Sequence, residues 1–579
     1  MDPAPSLFQT LPMLLVRKVV EYLEGRSRTS FSLDIDTHNK GKAALAPLLF
    51  VSERWCAAAL ASICDNCVLS FDYSCKAVEV AFPAWPASAP YSQYRKTHLV
   101  KRVVVSATLW KEMCDGTFCD IITRSQYENL LFPTANTMVL CLSKPVERGL
   151  FFAASPQPPA TPVSVTNEEK VASFARSLLR LAPAARSIVV SARAINSAEP
   201  NHQRLYDALM SELCKGSVNG LAVYANLSDS PVTLNFQGIS GLASITQGLF
   251  MDCGPFAQLA FLNASTLRTL DIRVVTEADW LSLVRGDTDT PAVFGSLTAL
   301  TLTTPAISYT TTWHAIEDAA PFPILSTLAI QGGYAFDDDL LFKGNGATLQ
   351  SLYIPFAAIA RDFVGRFKVF KRSGTTLMNS ICIGKATDAD KVFIAERVDV
   401  PIKQQLHEML EATQSLTLSD AAGVEDNSLP IINALYAAPN SATLWHLEFT
   451  NLVFDLCHII RVIAALPSLV SFTCAVRGLS SSIGDIPANE RPSSLRATHN
   501  LLSSNFKMLR VSSTDKSTAN NIAIVAMQIA VLCPNLVRVD VPPKLRSEFS
   551  VQIAWAICND SFGPYADSLR RLIYRDLNG

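Results

Sequence analysis

Four cysteines near the amino terminus are of the residue type that a zinc site needs. Cys64 and Cys67 form a Cys-x-x-Cys pair, and Cys56 and Cys75 lie eight residues outside it on either side. Structural zinc sites are built from shorter steps between cysteines, and a gap of eight residues is not usual. We therefore predict that these thiols are buried on helices, and we expect no metal.

Two charged runs could also bind a ligand. Asp337, Asp338 and Asp339 follow a Gly-Gly pair, which favours the start of a helix, where acidic side chains suit the positive end of the helix dipole. A basic group could contact nucleic acid or a phosphorylated target, but such a run is more typical of a solvated strand edge. Its members are Arg95, Lys96, His98, Lys101 and Arg102.

Motifs for catalysis are missing from the sequence. It contains no phosphate-binding Gly-x-x-x-x-Gly-Lys-Ser/Thr loop, no Gly-x-Gly-x-x-Gly after a strand, no Gly-x-Ser-x-Gly elbow and no His-Glu-x-x-His pair. The eight histidines are scattered. We expect no catalytic residue and no cofactor, so the protein is predicted not to be an enzyme.

The amino-acid composition excludes several kinds of protein and of binding partner. Of 579 residues, 49% are apolar and only 17% charged, which excludes disorder as the main state. Lys and Arg total 49 against 51 for Asp and Glu, so bulk charge favours neither nucleic acid nor an anionic membrane as a partner. Residues 1–5 do not begin a signal peptide, and the apolar stretch 522–532 is too short to cross a bilayer. We expect a location in the cytoplasm or nucleus.

The sequence contains a repeated pattern, apolar-x-x-apolar-x-apolar. It recurs about every 30 residues in the second half of the chain. Its fourth positions are Leu270, Leu300, Leu328, Leu352, Ile381, Leu416, Leu447, Phe472, Leu509, Val539 and Leu572. The last two apolar residues alternate around one outward residue, which predicts a short strand, while the first lies in the turn before it.

Helical segments lie between these strands, and several end at a proline such as Pro467 or Pro534. We predict helices over 279–284, 403–413, 454–466 and 518–532. One such unit cannot bury its own apolar faces, so the units must stack. The predicted fold class is α/β, a solenoid with a parallel sheet and outer helices; an ordinary α/β domain is the alternative.

The repeats resemble leucine-rich repeats of the longer, helix-containing, irregular type. The resemblance is clearest from residue 267 onward and extends more weakly upstream, so we assign residues 95–579 to an irregular leucine-rich-repeat solenoid. Earlier strands are expected around Val103, Leu140, Ile188 and Leu221. The asparagine that the family places after each strand is mostly missing, which predicts that other hydrogen bonds hold the turns.

Residues 7–70 have a different pattern. Leu11-Pro12 leads into an aliphatic helix ending at Tyr22-Leu23, and Leu48-x-x-Val51-Ser52-x-x-Trp55 follows a long polar loop. These residues resemble an F-box, so we predict a small α-helical F-box-like module over 7–70; a plain helical cap for the solenoid is the alternative.

An F-box followed by leucine-rich repeats resembles the substrate receptors of Skp–cullin ubiquitin ligases. The resemblance implies a non-catalytic subunit that docks on a Skp-type adaptor and the cullin ligase core and holds an unknown protein target on its repeats. The adaptor-binding residues would be Leu11, Pro12, Leu15, Val19, Leu23, Leu48, Val51 and Trp55. A protein-interaction scaffold without a ligase role remains the alternative.

The predicted target-binding surface is the concave sheet face, to which the non-core strand positions point. Its charged and aromatic residues are Asp271, Arg273, Tyr353, His446, Glu448, Arg510, Arg538, Asp540 and Arg571. The mixture of signs and aromatic rings favours a protein or peptide partner over a polyanion.

Overall fold

The structure is a computed structural model of the whole chain. It describes residues 12–13, 15–16, 19–20, 45, 48, 53–72, 77–81, 97–108, 131–143, 166–192, 200–215, 218–225, 236, 239–248, 253–285, 291–304, 320–332, 348–355, 378–384, 413–418, 443–476, 502, 505–512 and 519–558. The chain divides into two compact units, residues 1–292 and 293–579. The predicted boundary between a helical module and a solenoid falls inside the first unit.

The first unit is a sheet of parallel strands that follow one another in chain order, apart from one hairpin. Its strands are β1 (Asn66–Asp72), β2 (Ala77–Ala81), β3 (Arg102–Thr108), β4 (Thr137–Ser143), β5 (Ser187–Ala192), β6 (Gly220–Ala225), β7 (Ser244–Gln247) and β8 (Thr269–Arg273). Strand β2 pairs with β1 in the antiparallel direction, whereas β1 pairs with β3 in parallel and each later strand pairs in parallel with the next.

Helices connect several of these strands. They are α1 (Glu53–Ile63), α2 (Thr166–Leu181), α3 (Pro200–Leu213), α4 (Cys253–Leu262) and α5 (Glu277–Arg285). The predicted helix over 279–284 is confirmed as α5, whose Trp280, Leu283 and Val284 are fully buried. Ahead of α1, the described residues between Met13 and Val20 are also helical.

The second unit is wholly parallel among its described strands. They are β9 (Ala299–Thr304), β10 (Thr327–Gly332), β11 (Ser351–Ile354), β12 (Ser380–Ile383), β13 (Ser415–Leu418), β14 (His446–Phe454), β15 (Ser471–Val476), β16 (Met508–Val511) and β17 (Arg538–Asp540). Each strand pairs with the next along the chain. The sheet is therefore solenoid-like, as the repeated pattern predicts.

Three helices are described in the second unit: α6 (Leu456–Ala465), α7 (Ala519–Leu532) and α8 (Arg546–Cys558). Two of the three helices predicted in this unit, 454–466 and 518–532, are confirmed by α6 and α7, although Phe454 still belongs to β14. Helix α7 is buried at Ala519 and at every residue from Ile522 to Leu532, including Gln528. The predicted helix over 403–413 lies outside the described residues except for Thr413. No described helix is long and apolar enough to cross a membrane.

The predicted strand register is confirmed at the fourth and sixth positions of the repeat. Leu270 pairs across the sheet with Ile245, and Leu300 pairs with Leu328, always with the side chains on one face. We call this the core face of each sheet; these residues are at most 2% exposed. In the described repeats the first position is also buried in the turn before the strand, as at Leu267 and Leu297, and in one repeat it is filled by the buried Thr413. Leu572 lies outside the described residues.

Shared carbonyl groups hold these turns at the amino-terminal edge of the sheet. The carbonyl of Gln350 accepts the N–H groups of Asn379 and Ser380, and the carbonyl of Trp445 accepts those of Val470 and Ser471. The same pairing recurs at most of the described strands of both units. One carbonyl therefore fixes two consecutive residues of the next repeat, and this is how the turns do without an asparagine ladder.

Side-chain hydroxyl and amide groups reinforce the turns. Thr266 Oγ1 donates to the Leu242 carbonyl over 2.8 Å, and Thr348 Oγ1 donates to the Leu325 carbonyl over 2.9 Å. The buried side chain of Asn263 accepts the Leu242 N–H over 2.9 Å. These bonds join each repeat to the one before it, as the missing asparagines led us to expect.

The prediction of buried cysteines on helices holds in full for none of the three that the structure describes. Cys64 and Cys67 are both buried, but Cys64 lies in the turn after α1 and Cys67 lies on strand β1, because the chain leaves the helix at this point to begin the sheet. Cys56 is only partly buried. Burial and the neighbouring Cys64 both raise the pKa of the Cys67 thiol far above its usual value. Cys56 lies on α1, and Cys75 is outside the described residues, as are Asp337, Asp338 and Asp339.

Candidate functional site

The face of the second sheet opposite its core face carries two rows of side chains in register. The first row is Ala299, Thr327, Ser351, Ser380, Ser415, His446, Ser471, Met508 and Arg538. The second row is Thr301, Ala329, Tyr353, Cys382, Thr417, Glu448, Thr473, Arg510 and Asp540. From β9 to β13 both rows are uncharged and mostly small, whereas from β14 to β17 they contain every charge.

We call His446, Glu448, Arg510, Arg538 and Asp540 the charged patch. All five were predicted as target-binding residues, and parallel pairing brings them onto strands β14, β16 and β17. Strand β15 lies between them, and its Thr473 is buried with no hydrogen-bond partner for Oγ1 among the described residues. The patch has the mixture of signs and hydrogen-bonding groups that a protein surface can recognise.

At the β14 side of the patch, His446 Nε2 lies 3.5 Å from Glu448 Oε2. The hydrogen bond from His446 lowers the pKa of Glu448, and the charges of His446 and Arg510 lower it further against the opposing effect of burial. Glu448 is therefore ionised at neutral pH. Trp445 precedes this strand with 47% of its surface exposed, and its ring centroid lies 5.9 Å from that of His446. Exposed tryptophan side chains are enriched among the residues that dominate binding at protein interfaces.

Tyr353 lies three strands from His446, in the uncharged part of the second row. Its hydroxyl lies against Gly384, where a Cβ atom would come within 2.5 Å of that oxygen. Burial raises the pKa of Tyr353, and so, to a smaller degree, does Cys382, so the phenol is neutral at physiological pH. Tyr353 therefore belongs to the same face as the charged patch but does not contribute charge to it.

In the first unit, the sheet face opposite the core face carries an apolar and buried row across β3 to β6, unlike the corresponding face of the second unit. Val104, Val139, Val189 and Ala222 form an apolar row there, and each is at most 8% exposed. Sequence reasoning missed this row, although the signal is present: β3, β4 and β5 each have three consecutive apolar residues, which is typical of strands buried on both faces. Across β3 to β6 this face is therefore not an open recognition surface.

Asp271 and Arg273 lie beyond that row, on β8. Asp271 is in register with Thr246 of β7, and burial raises its pKa to about 6. The backbone N–H of Arg273 donates to Gln247 Oε1 over 2.9 Å. These two predicted target-binding residues belong to the first unit, whereas the charged patch belongs to the second.

The raised pKa of Asp271 predicts a pH-dependent stability. The folded chain binds this proton more tightly than the unfolded chain, so ionisation of Asp271 destabilises the fold as the pH rises from about 4 to 6. We expect Asp271→Asn to raise the free energy of unfolding by about 2 kcal/mol near pH 7.5 and by less than about 0.5 kcal/mol near pH 4. Urea unfolding at the two pH values measures this. Glu169→Gln, which changes a carboxylate that is 84% exposed, should alter neither value, and an equal gain at both pH values would contradict the assignment.

The predicted adaptor-binding residues divide between surface and core. Pro12 is exposed, and its carbonyl accepts the N–H groups of Leu15 and Val16. Leu15 is 45% and Val19 40% exposed, and Leu48 is partly buried. Trp55, in contrast, is only 3% exposed, so it belongs to the core of the first unit and not to an exposed patch. The exposed part of the predicted set is therefore carried by the first helical segment.

The remaining predicted residues, Leu11, Leu23, Val51 and Arg571, lie outside the part of the chain that the structure describes. Of the basic group, Arg95 and Lys96 are also outside it. Lys101 is exposed, while Arg102 is partly buried on β3, where desolvation lowers its pKa. Within the described ranges, no group of three or more His, Cys, Asp or Glu side chains could hold a metal ion. No family model matches the chain, and no curated protein matches it either.

Proposed function

We propose that the protein is the non-catalytic substrate-recognition subunit of a Skp–cullin–F-box ubiquitin ligase. In this proposal the first helical segment docks on a Skp-type adaptor, and the leucine-rich repeats bind a protein target through the charged patch. The resemblance of residues 7–70 to an F-box and of the later repeats to leucine-rich repeats supports the two roles.

One observation carries the proposal. Leu15 and Val19 lie one helical turn apart and are 45% and 40% exposed, whereas Val16 and Val20, on the neighbouring stripe of the same segment, are at most 3% exposed. The helix is thus anchored to the first unit by one apolar stripe and presents a second one to solvent. A partner that covers the second stripe would remove apolar surface from water, which is the main favourable term in protein association.

Co-purification with a Skp-type adaptor tests the proposal. We expect Leu15→Asp with Val19→Asp to weaken adaptor binding at least about 100-fold, because docking would bury two unpaired carboxylates. Both side chains are exposed in the free protein, so the thermal midpoint should change little. Val551→Asp is the matched control: Val551 is 63% exposed on α8, and its substitution should leave adaptor binding unchanged.

Two results would overturn the ligase role. Full adaptor binding by the double variant would show that the exposed stripe is not the docking surface. Failure of the unmodified protein to bind any Skp-type adaptor would remove the ligase assignment altogether.

A scaffold without a ligase role is the second candidate, and one observation favours it. Val16, Val20, Leu45 and Trp55 are all at most 3% exposed, so the amino-terminal segment completes the core of the first unit as a structural cap does. In that case deletion of residues 1–63 should unfold the neighbouring strands, and no adaptor should bind the unmodified protein. Limited proteolysis of the truncated protein would show the loss of the β1–β3 part of the sheet.

A further inference from the structure

We propose that Arg510 and Arg538 bind an acidic segment of the target protein, each guanidinium contacting a carboxylate side chain. This inference rests on the proposed function, because it names the chemistry of the target that the charged patch would hold. It concerns the β16–β17 end of the patch and involves neither the amino-terminal helix nor an adaptor.

Arg510 and Arg538 are joined through Asp540. Their strands are adjacent, and Asp540 lies between the side chains: Arg510 Nε is 3.2 Å from Asp540 Oδ2, and Arg538 Nε is 2.5 Å from Asp540 Oδ1. The arginine side chains are 49% and 53% exposed, but that of Asp540 is only 16% exposed. Asp540 therefore contacts both guanidinium groups through their Nε atoms, and about half of each arginine side chain is exposed.

The outer nitrogens are the groups that could bind a ligand. A guanidinium has five N–H donors in a planar fork that matches a carboxylate, and the Nε contact uses only one of them. The terminal nitrogens of Arg510 have no hydrogen-bond partner among the described residues. Because Asp540 already fixes the orientation of Arg510, little further side-chain entropy is lost when a second carboxylate binds.

The charge of the site decides between possible partners. At the β16–β17 end, two guanidinium groups and one carboxylate leave a net charge of +1, and Glu448 lies two strands away, where its side chain contacts His446. A partner with one or two carboxylates complements this charge. A phosphate-rich chain, by contrast, carries up to about two negative charges at each phosphate, which is more than a single net positive charge balances, and its excess charge would face Asp540, where like-charge contacts are costly. The patch therefore favours acidic side chains over a nucleic acid or a phosphorylated segment.

Fluorescence anisotropy with the full-length protein tests the inference. The probe is a fluorescein-labelled peptide of alternating Glu and Ser, compared with a Gln/Ser peptide and with a phosphoserine peptide without Glu. We expect the Glu/Ser peptide to bind most tightly and to dissociate as salt is added. Arg510→Glu with Arg538→Glu should weaken this binding at least about tenfold, and Glu448→Gln should strengthen it about two- to threefold.

Controls separate charge from folding. Arg461→Glu reverses the charge of one exposed arginine on helix α6, away from the patch residues, and should leave peptide binding unchanged. The milder pair Arg510→Gln with Arg538→Gln should also weaken binding while keeping the thermal midpoint of the unmodified protein. Equal binding of the Gln/Ser peptide, stronger binding of the phosphoserine peptide, or unchanged binding by the Arg510→Glu, Arg538→Glu variant would each overturn the inference.

The same variants distinguish this inference from the proposed function. The charge-reversed protein should still co-purify with the adaptor, because Leu15 and Val19 are unchanged. If adaptor binding persists but no acidic peptide binds the unmodified protein, only the inference fails. If acidic peptides bind but no adaptor does, the ligase role fails and the acidic-segment site stands.

Discussion

Asn263→Ala is expected to lower the free energy of unfolding of the first unit by about 3 kcal/mol. The Asn263 side chain is 1% exposed and lies just after α4. Its Oδ1 accepts the Leu242 N–H over 2.9 Å, and its Nδ2 donates to the carbonyls of Leu259 over 2.8 Å and Ile239 over 3.3 Å. Alanine would leave the Leu242 N–H buried without an acceptor, and an unsatisfied buried donor costs about 1–3 kcal/mol by itself.

Urea denaturation followed by circular dichroism measures the effect. The matched control is Asn379→Ala, because Asn379 is exposed in the turn before β12 and its amide reaches Gln350 Oε1 only over 3.4 Å. We expect the control to change the free energy of unfolding by less than about 0.5 kcal/mol. If the two variants lose the same stability, the amide bonds of Asn263 do not hold the repeats together.

Gly332→Ala is expected to destabilise the second unit by about 3 kcal/mol or more. Gly332 ends β10 with φ +87°, in the left-handed region that side chains disfavour. A Cβ atom there would lie 1.9 Å from the backbone carbonyl oxygen of Thr304, its partner on β9. Because that oxygen belongs to the backbone, the clash cannot be relieved by a side-chain rotation, and the ends of β9 and β10 would have to separate.

Two other glycines distinguish the two causes of this destabilisation, the positive φ and the steric clash of the Cβ atom. Gly241 has φ +81°, but no atom lies within 4 Å of the position that a Cβ would occupy, so Gly241→Ala should cost only about 1 kcal/mol of backbone strain. Gly295 has neither a positive φ nor a nearby atom, so Gly295→Ala should be close to neutral. Thermal denaturation of the three variants gives the order directly. A Gly332→Ala protein no less stable than Gly241→Ala would show that the β9–β10 contact accommodates a methyl group.

The strands of the second unit were predictable because their side chains alternate. In Leu300-Thr301-Leu302 the two leucines are buried and the threonine lies on the opposite face, and the same period of two recurs in β11, β12, β13 and β16. Strand β15 is the exception, because all six of its residues are buried. Strand β7 was not predicted, because its last core-facing position is occupied by a polar residue, Gln247. Gln247 is nevertheless 6% exposed, and its amide oxygen accepts a backbone N–H from β8. A search for apolar residues alone cannot recognise a position that a hydrogen bond has made suitable for glutamine.

The candidate site was predictable in part for the same reason. Alternation places Glu448, Arg510 and Asp540 on the non-core face, and parallel pairing then brings neighbouring strands into register. The ion pairs that Asp540 makes depend on side-chain conformations, which alternation does not specify. At the amino terminus, Leu15 with Val19 and Val16 with Val20 are adjacent apolar stripes of one helical segment. Spacing identifies both stripes, but only tertiary packing decides which of them enters the core.

The shared carbonyls at the amino-terminal edge of the sheets have a consequence for how this chain tolerates change in length. The fourth positions of successive repeats are 24 residues apart between Leu328 and Leu352, yet 37 apart between Phe472 and Leu509. Strand alignment is nevertheless the same in both places, because the backbone pairing just before each strand sets it. Residues can therefore be gained or lost in the returning segments during evolution while every strand keeps its partner.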